Sequence, residues 1–121
     1  METYDLFQDG RRHLRAGRPD EATEPLERAR DREPGSRSIR EALGIAYFRT
    51  RRWSEAEAEF RALVELSPDD EFAHYALGRA LSNRGKSREA LGHLKLATVL
   101  RGAPRDAGMS LEPGGDSEAA T

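Results

Sequence analysis

The sequence predicts an all-α fold, a stack of three helix-turn-helix units. Three observations carry this: a period of 34 residues, helical spacing of apolar residues inside each period, and turn residues at matching points. Set against itself at that offset, the chain aligns Glu21, Glu55 and Glu89 in one column and Ala22, Ala56 and Ala90 in the next. Gly10, Gly44 and Gly78 form a third column, and Leu26, Phe60 and Leu94 a fourth. Pro34 and Pro68 are answered by Gly102. So many columns at one unbroken period mark a repeated unit, with repeats expected at about 3–36, 37–70 and 71–104.

The columns assign the elements in order. In each unit the first helix carries a small residue, Gly44 for example, and the second carries Ala56. Small side chains let antiparallel helices approach to about 8 Å, with large residues such as Tyr47 and Phe60 on either side. Gly17 and Gly85 suit the left-handed residue that closes a first helix. Arg51 stands at the same point of the second unit, where a non-glycine residue costs roughly 1 kcal/mol. Ser36 and Asp70 are expected N-caps, and Pro34 and Pro68 follow second helices that can no longer continue. Pro25 falls inside the first unit's second helix and is expected to kink or loosen it, making that unit the softest.

One stretch resists this scheme. RRWSEAEAEF, from Arg51 to Phe60, alternates polar and apolar residues as a half-buried strand does. The repeat decides the matter, because Ala56, Phe60, Leu63 and Val64 continue a helical stripe. Ser54 with Glu57 then reads as a capping box, and Trp53 as its hydrophobic staple.

Composition narrows function. A hydrophobic content of 36% against 35% charged residues gives a thin core under a charged surface, suited to helices. Twenty basic and 22 acidic residues leave a net charge of −2, which argues against nucleic acid as the main partner. The chain has no cysteine, so disulfides and cysteine-ligated metals are excluded. No apolar run approaches the roughly 20 residues of a membrane span, and METYDLFQDGRRHLRAG has no apolar signal core, so no membrane partner and a cytoplasmic location are expected. His13, His74 and His93 occupy unrelated columns, and no metal cluster, nucleophile elbow or phosphate-binding loop is present. Asp9 with His13 and Glu89 with His93 are expected to form ordinary surface or half-buried pairs one turn apart. No cofactor and no catalysis are expected.

The string Leu43-Gly44-Ile45-Ala46-Tyr47 … Ala56 … Phe60 … Pro68 resembles the tetratricopeptide repeat, and Leu77-Gly78-Arg79-Ala80-Leu81 … Ala90 … Leu94 … Ala97 repeats the match. The resemblance covers residues 3 to about 101. Asp9 replaces the usual leucine, His13 the preferred tyrosine, and Leu6, Arg40 and His74 stand where the family has its early tryptophan. The resemblance implies a right-handed superhelix whose first helices line a concave groove for an extended peptide or a partner's helix. It implies a non-enzymatic adaptor.

On the helical wheel, the groove face carries Tyr4, Phe7, Arg11, Leu14 and Arg15 from the first unit. The second gives Ser38, Glu41, Ile45, Phe48 and Arg49, and the third Phe72, Tyr75, Arg79, Ser82 and Asn83. Four arginines against one acid, with five aromatics, point to an acidic or amphipathic protein segment as partner. The family's chaperone-tail clamp needs Lys, Asn and Arg at places held here by Phe7, Arg11, Ile45, Phe72 and Ala76, so that specificity is not supported.

The last helix offers a second reading. Leu91, Leu96 and Val99 are more apolar than a solvated end should be, which suggests a homodimer through the third unit. The segment 103–121 reads as a flexible acidic tail of net −3, leaving about +1 on the body. A solvated tail is expected, the alternative being Met109 and Leu111 as anchors in the basic groove.

Overall fold

The computed structural model describes residues 1–101 and Leu111, and forms six helices. These are α1 (Thr3–Arg15), α2 (Pro19–Arg32), α3 (Arg37–Arg49), α4 (Trp53–Leu66), α5 (Glu71–Asn83) and α6 (Ser87–Leu100). Each begins and ends 34 residues after its counterpart in the preceding unit. Every helix packs on the next along the chain, and among the described residues there is no strand. RRWSEAEAEF accordingly enters α4 at Trp53.

The helix ends follow local chemistry. Ser36 Oγ accepts from the Ile39 amide at 3.3 Å to start α3, and the Asp70 carboxylate accepts from the Phe72 amide at 2.9 Å to start α5. The turns inside the units close on left-handed residues, Gly17 and Gly85 at φ 77° and Arg51 at φ 63°. Arg51 holds this conformation with its guanidinium 6.0 Å from the Trp53 ring centre.

Three expectations change. The Ser54–Glu57 capping box does not form: α4 starts two residues earlier, with Arg52 rather than Ser54 as N-cap and no side-chain cap. Glu57 is instead buried among cations, while Trp53 packs edge-on against Phe48 with ring centres 4.9 Å apart. Secondly, α2 runs from Pro19 through a buried Pro25 to Arg32 without interruption. Burial of Ala22, Leu26 and Ala29 along the same face holds the turn where one amide donor is missing. Thirdly, the tail 103–121 lies outside the described residues except for Leu111, which is 3% exposed and belongs to the main core rather than to solvent.

Close packing within units rests on the glycine column. An added Cβ at Gly44 would stand 2.4 Å from Phe60 Cε1, at Gly10 2.4 Å from Leu26 Cγ, and at Gly78 2.7 Å from Leu94 Cδ2. The glycine therefore faces the large residue of the second helix in each unit, and at Gly78 the Ala90 carbonyl of the alanine column as well, 3.3 Å away. Phe60 is fully buried and turns an edge to Phe72 of the next unit, ring centres 6.2 Å apart, which links the second and third units through one side chain.

Polar clamps couple the units further. Glu59, almost fully buried on α4, takes Arg30 of the first unit at 2.6 Å and Arg40 of its own unit at 2.8 Å. Tyr47 on α3 donates to Glu27 on α2, and burial together with that carboxylate pushes its phenol well above the ordinary value. Glu57 reaches forward to Arg84 at 2.8 Å and Lys86 at 3.3 Å, and Arg61 joins it to Glu89 of α6 at 2.7 Å. Burial alone would raise the Glu57 pKa, but hydrogen bonds from Arg61, Arg84 and Lys86 outweigh it and lower the group from 4.5 to about 2.

Two predictions follow from this packing. Gly44→Ala should lose about 2 kcal/mol in urea denaturation, because overpacking against a buried ring exceeds the gain in helix propensity. Gly35→Ala, with open space around it, should stay within about 0.5 kcal/mol of wild type. Glu57 binds protons less readily folded than unfolded, so its contribution is present above pH 4.5 and is lost as pH falls from there to about 2. Glu57→Gln should flatten that limb of a pH–stability curve.

Candidate functional site

Three first helices, α1, α3 and α5, present the residues that the helical wheel assigned to the concave face. They do not all share one environment. Tyr4 and Arg15 are exposed, while Phe7, Arg11, Glu41, Arg49, Tyr75 and Arg79 are half-buried. Ile45, Phe48 and Phe72 are buried within the main core at 0%, 7% and 7% exposure. The apolar floor is thus shielded, and the cations and phenols stand above it.

Arginines lie over aromatic faces on this surface. Arg11 lies 5.4 Å from the Phe7 ring centre. Arg79 lies 5.4 Å from Phe48 and 5.7 Å from Tyr75, and donates to the Tyr75 hydroxyl at 2.8 Å. Arg49 donates to the Leu14 carbonyl at 3.2 Å, joining α3 to α1. The Asn83 amide donates to the Arg79 carbonyl at 2.9 Å. Stacking of this kind holds a guanidinium in place by its face and fixes the direction of its edge donors, a geometry suited to planar acceptors such as carboxylates. Among the described residues, Arg11 Nε is buried without a hydrogen-bond partner.

On the opposite side of the stack, α6 leaves Leu91, Leu96 and Val99 52%, 39% and 77% exposed, while Ala97 packs inward.

The histidines hold one arrangement that the sequence reading missed. His74 and His93 stack with ring centres 5.2 Å apart and share a hydrogen bond between their Nδ1 atoms at 3.0 Å. His74 Nε2 lies 2.7 Å from the Pro68 carbonyl, which can only accept, so His74 carries its proton on Nε2. Its Nδ1 then accepts, and His93 Nδ1 must be the donor. His93 Nε2 is left to take a further proton, 4.0 Å from Glu89. Burial first, then the adjacent His74, lowers the His93 pKa. The signal was in the spacing: Arg40 with Glu59 and His74 with His93 are both 19 apart, at equivalent points of successive units. His13 keeps its two acids, Glu21 at 3.3 Å and Asp9 at 3.8 Å. No cluster of three or more metal-ligating side chains occurs among the described residues, and none of their helices is long and apolar enough to cross a membrane.

Comparison with known proteins places this architecture. A family model described as tetratricopeptide repeat matches residues 7–71. The chain belongs to the tetratricopeptide repeat (TPR) family. A TPR repeat-containing protein of Picosynechococcus sp. is 41% identical over 68 residues, which is 56% of this TPR chain and 18% of that protein. Among solved structures, MamA from MSR-1 superposes with TM-score 0.78 at 27% identity, over 84% of this chain and 58% of that one. The second TPR of Spaghetti (RPAP3), bound to an HSP90 peptide, gives TM-score 0.77 at 19% identity, over 84% of this chain and 94% of that one. The TPR chain therefore spans under a fifth of its sequence relative and somewhat over half of MamA.

A pH dependence follows from the imidazole pair. With the His93 pKa held below 6.5, the unfolded chain binds more protons in the window just beneath that value. Stability should fall as pH drops from above 6.5 through that window. His93→Asn, which retains a donor toward His74, should remove this slope in thermal melts read by circular dichroism.

Proposed function

We propose that this TPR chain is a non-enzymatic interaction adaptor that holds a segment of a partner protein in the concave groove formed by α1, α3 and α5. The observation that carries the reading is the row of arginines laid over aromatic faces: Arg11 on Phe7, and Arg79 on Phe48 and Tyr75. An apolar floor with stacked cations above it suits a segment that brings an aliphatic or aromatic anchor together with carboxylates. Buried apolar contact would give affinity, while the arginines would speed encounter and reject basic segments. Two structural neighbours lend the reading support at the level of fold. The Spaghetti (RPAP3) repeat domain was solved with the peptide SRMEEVD, and YrrB is described as a TPR protein with an unusual peptide-binding site.

Phe48 is a core residue, and its truncation would disturb folding as well as binding. The sharper test uses exposed and rim positions: Tyr4→Ala with Arg11→Glu and Arg15→Glu. Both proteins would serve as baits in native lysate, with captured proteins identified by mass spectrometry. The proposal expects at least one protein, directly bound on purification, to lose roughly tenfold or more in affinity with the variant, about 1.4 kcal/mol. Identical capture by both baits would overturn the groove as the contact surface.

The exposed face of α6 favours a second reading, self-assembly through Leu91, Leu96 and Val99. Light scattering over a concentration series decides it. A chain that stays monomeric throughout removes the dimer, and a dimer broken by Val99→Glu establishes it.

A further inference from the structure

The main core has one member that no helix supplies. Leu111 is 3% exposed and joins a cluster whose other residues all lie on α1 to α6. Its seat can be narrowed by exclusion. The outward side of α6 stays open, with Leu91, Leu96 and Val99 exposed. The separate small cluster of Leu6, Ala29 and Ile39 does not include it. The concave side contributes to the cluster that does include it. There Ile45, Phe48 and Phe72 stand at groove-facing positions of the helical wheel, yet they are no more than 7% exposed. Arg79 and Trp53 pack on Phe48, and Phe60 packs on Phe72. Leu111 belongs to the same cluster as Ile45, Phe48 and Phe72.

We propose that Leu111 sits in the concave groove as the chain's own ligand, so that the groove recognises a leucine-anchored acidic segment and residues near Leu111 compete with any partner for it. The inference rests on the groove reading above and names both the ligand class and its regulation. Chain length permits it: Leu111 follows the end of α6 at Leu100 by eleven residues, which can span about 36 Å at roughly 3.3 Å each. Charge favours it, since residues 103–121 carry one base and four acids while the groove face carries four arginines and one acid. Tethering favours it as well, because a short linker supplies an effective concentration of about a millimolar, enough for a weak contact to remain occupied.

The test compares the full chain with Leu111→Ala and Leu111→Asp by NMR, following the Ile45 methyl and the Phe48 and Phe72 rings. A synthetic peptide of residues 103–121 is then titrated into each protein. The expected result is a shift of all three groove signals in both variants. Peptide affinity should also rise about tenfold or more over wild type, because the variants no longer compete with it. A peptide carrying Leu111→Asp should not bind. Shifts confined to α6 and the residues after it, or equal peptide affinity for wild type and variants, would overturn the proposal. Should Leu111→Asp disturb folding, Leu111→Ala carries the comparison alone. The two readings fail separately. A partner lost through Arg11→Glu and Arg15→Glu, with no groove shift from Leu111→Ala, refutes only self-occupancy. Groove shifts and peptide binding without a partner contact refute only the adaptor.

Discussion

A glycine on each first helix, pressed against a large apolar side chain on the second, sets the distance between paired helices and through it the geometry of the stack. Gly10 meets Leu26, Gly44 meets Phe60 and Gly78 meets Leu94, each with less room than one methyl group requires. The contact recurs at 34 residues, and the helices of all three hairpins have matching lengths and bounds. The second unit is the hub. Its Phe60 fills the glycine gap and also meets Phe72 of the next unit, while its Glu59 and Glu57 reach back to Arg30 and forward to Arg84. A buried carboxylate left without such partners would be strongly unfavourable, so these ions lock the relative placement of units more than they add to net stability.

That geometry also brings first-helix residues of different units together. α1 packs on α3, so residues far apart in the chain meet. Arg79 of the third unit lies over Phe48 of the second and so joins α5 to α3. Phe48 in turn meets Trp53 at the next turn, which connects the groove floor to the strained Arg51 corner. The surface is therefore a product of the stack rather than of any single helix.

Much of this could be read from residues alone. Period, caps and left-handed corners are local properties, and Ser36, Asp70, Gly17 and Gly85 behave as their side chains dictate. What failed were choices made between a local partner and a distant one. Ser54 and Glu57 have capping-box spacing, but cations from the following unit engage Glu57 instead. Pro25 lacks an amide donor, and α2 runs on through it with Pro25, Leu26 and Ala29 buried. The glycine column also meets the bulky residue of the second helix in every unit, which small-residue pairing alone does not foretell. For the groove, the helical wheel chose the residues but could not say that Ile45, Phe48 and Phe72 are covered, since burial depends on what lies above the helix. His74 and His93 were taken one helix at a time and so missed each other.

One position tells the three units apart. Leu6 and Pro25 in the first, Arg40 and Glu59 in the second, and His74 and His93 in the third occupy the same place in the repeat. Glu59 is completed by Arg30 of the unit before, and the counterpart of Arg30 beside the histidines is Val64. Exchanging the second and third hairpins would bring a guanidinium against the imidazoles and leave the carboxylate beside Thr98. Identical in backbone, the hairpins carry an address in their polar side chains, and that address makes the array a sentence with a reading order rather than a stack of interchangeable bricks.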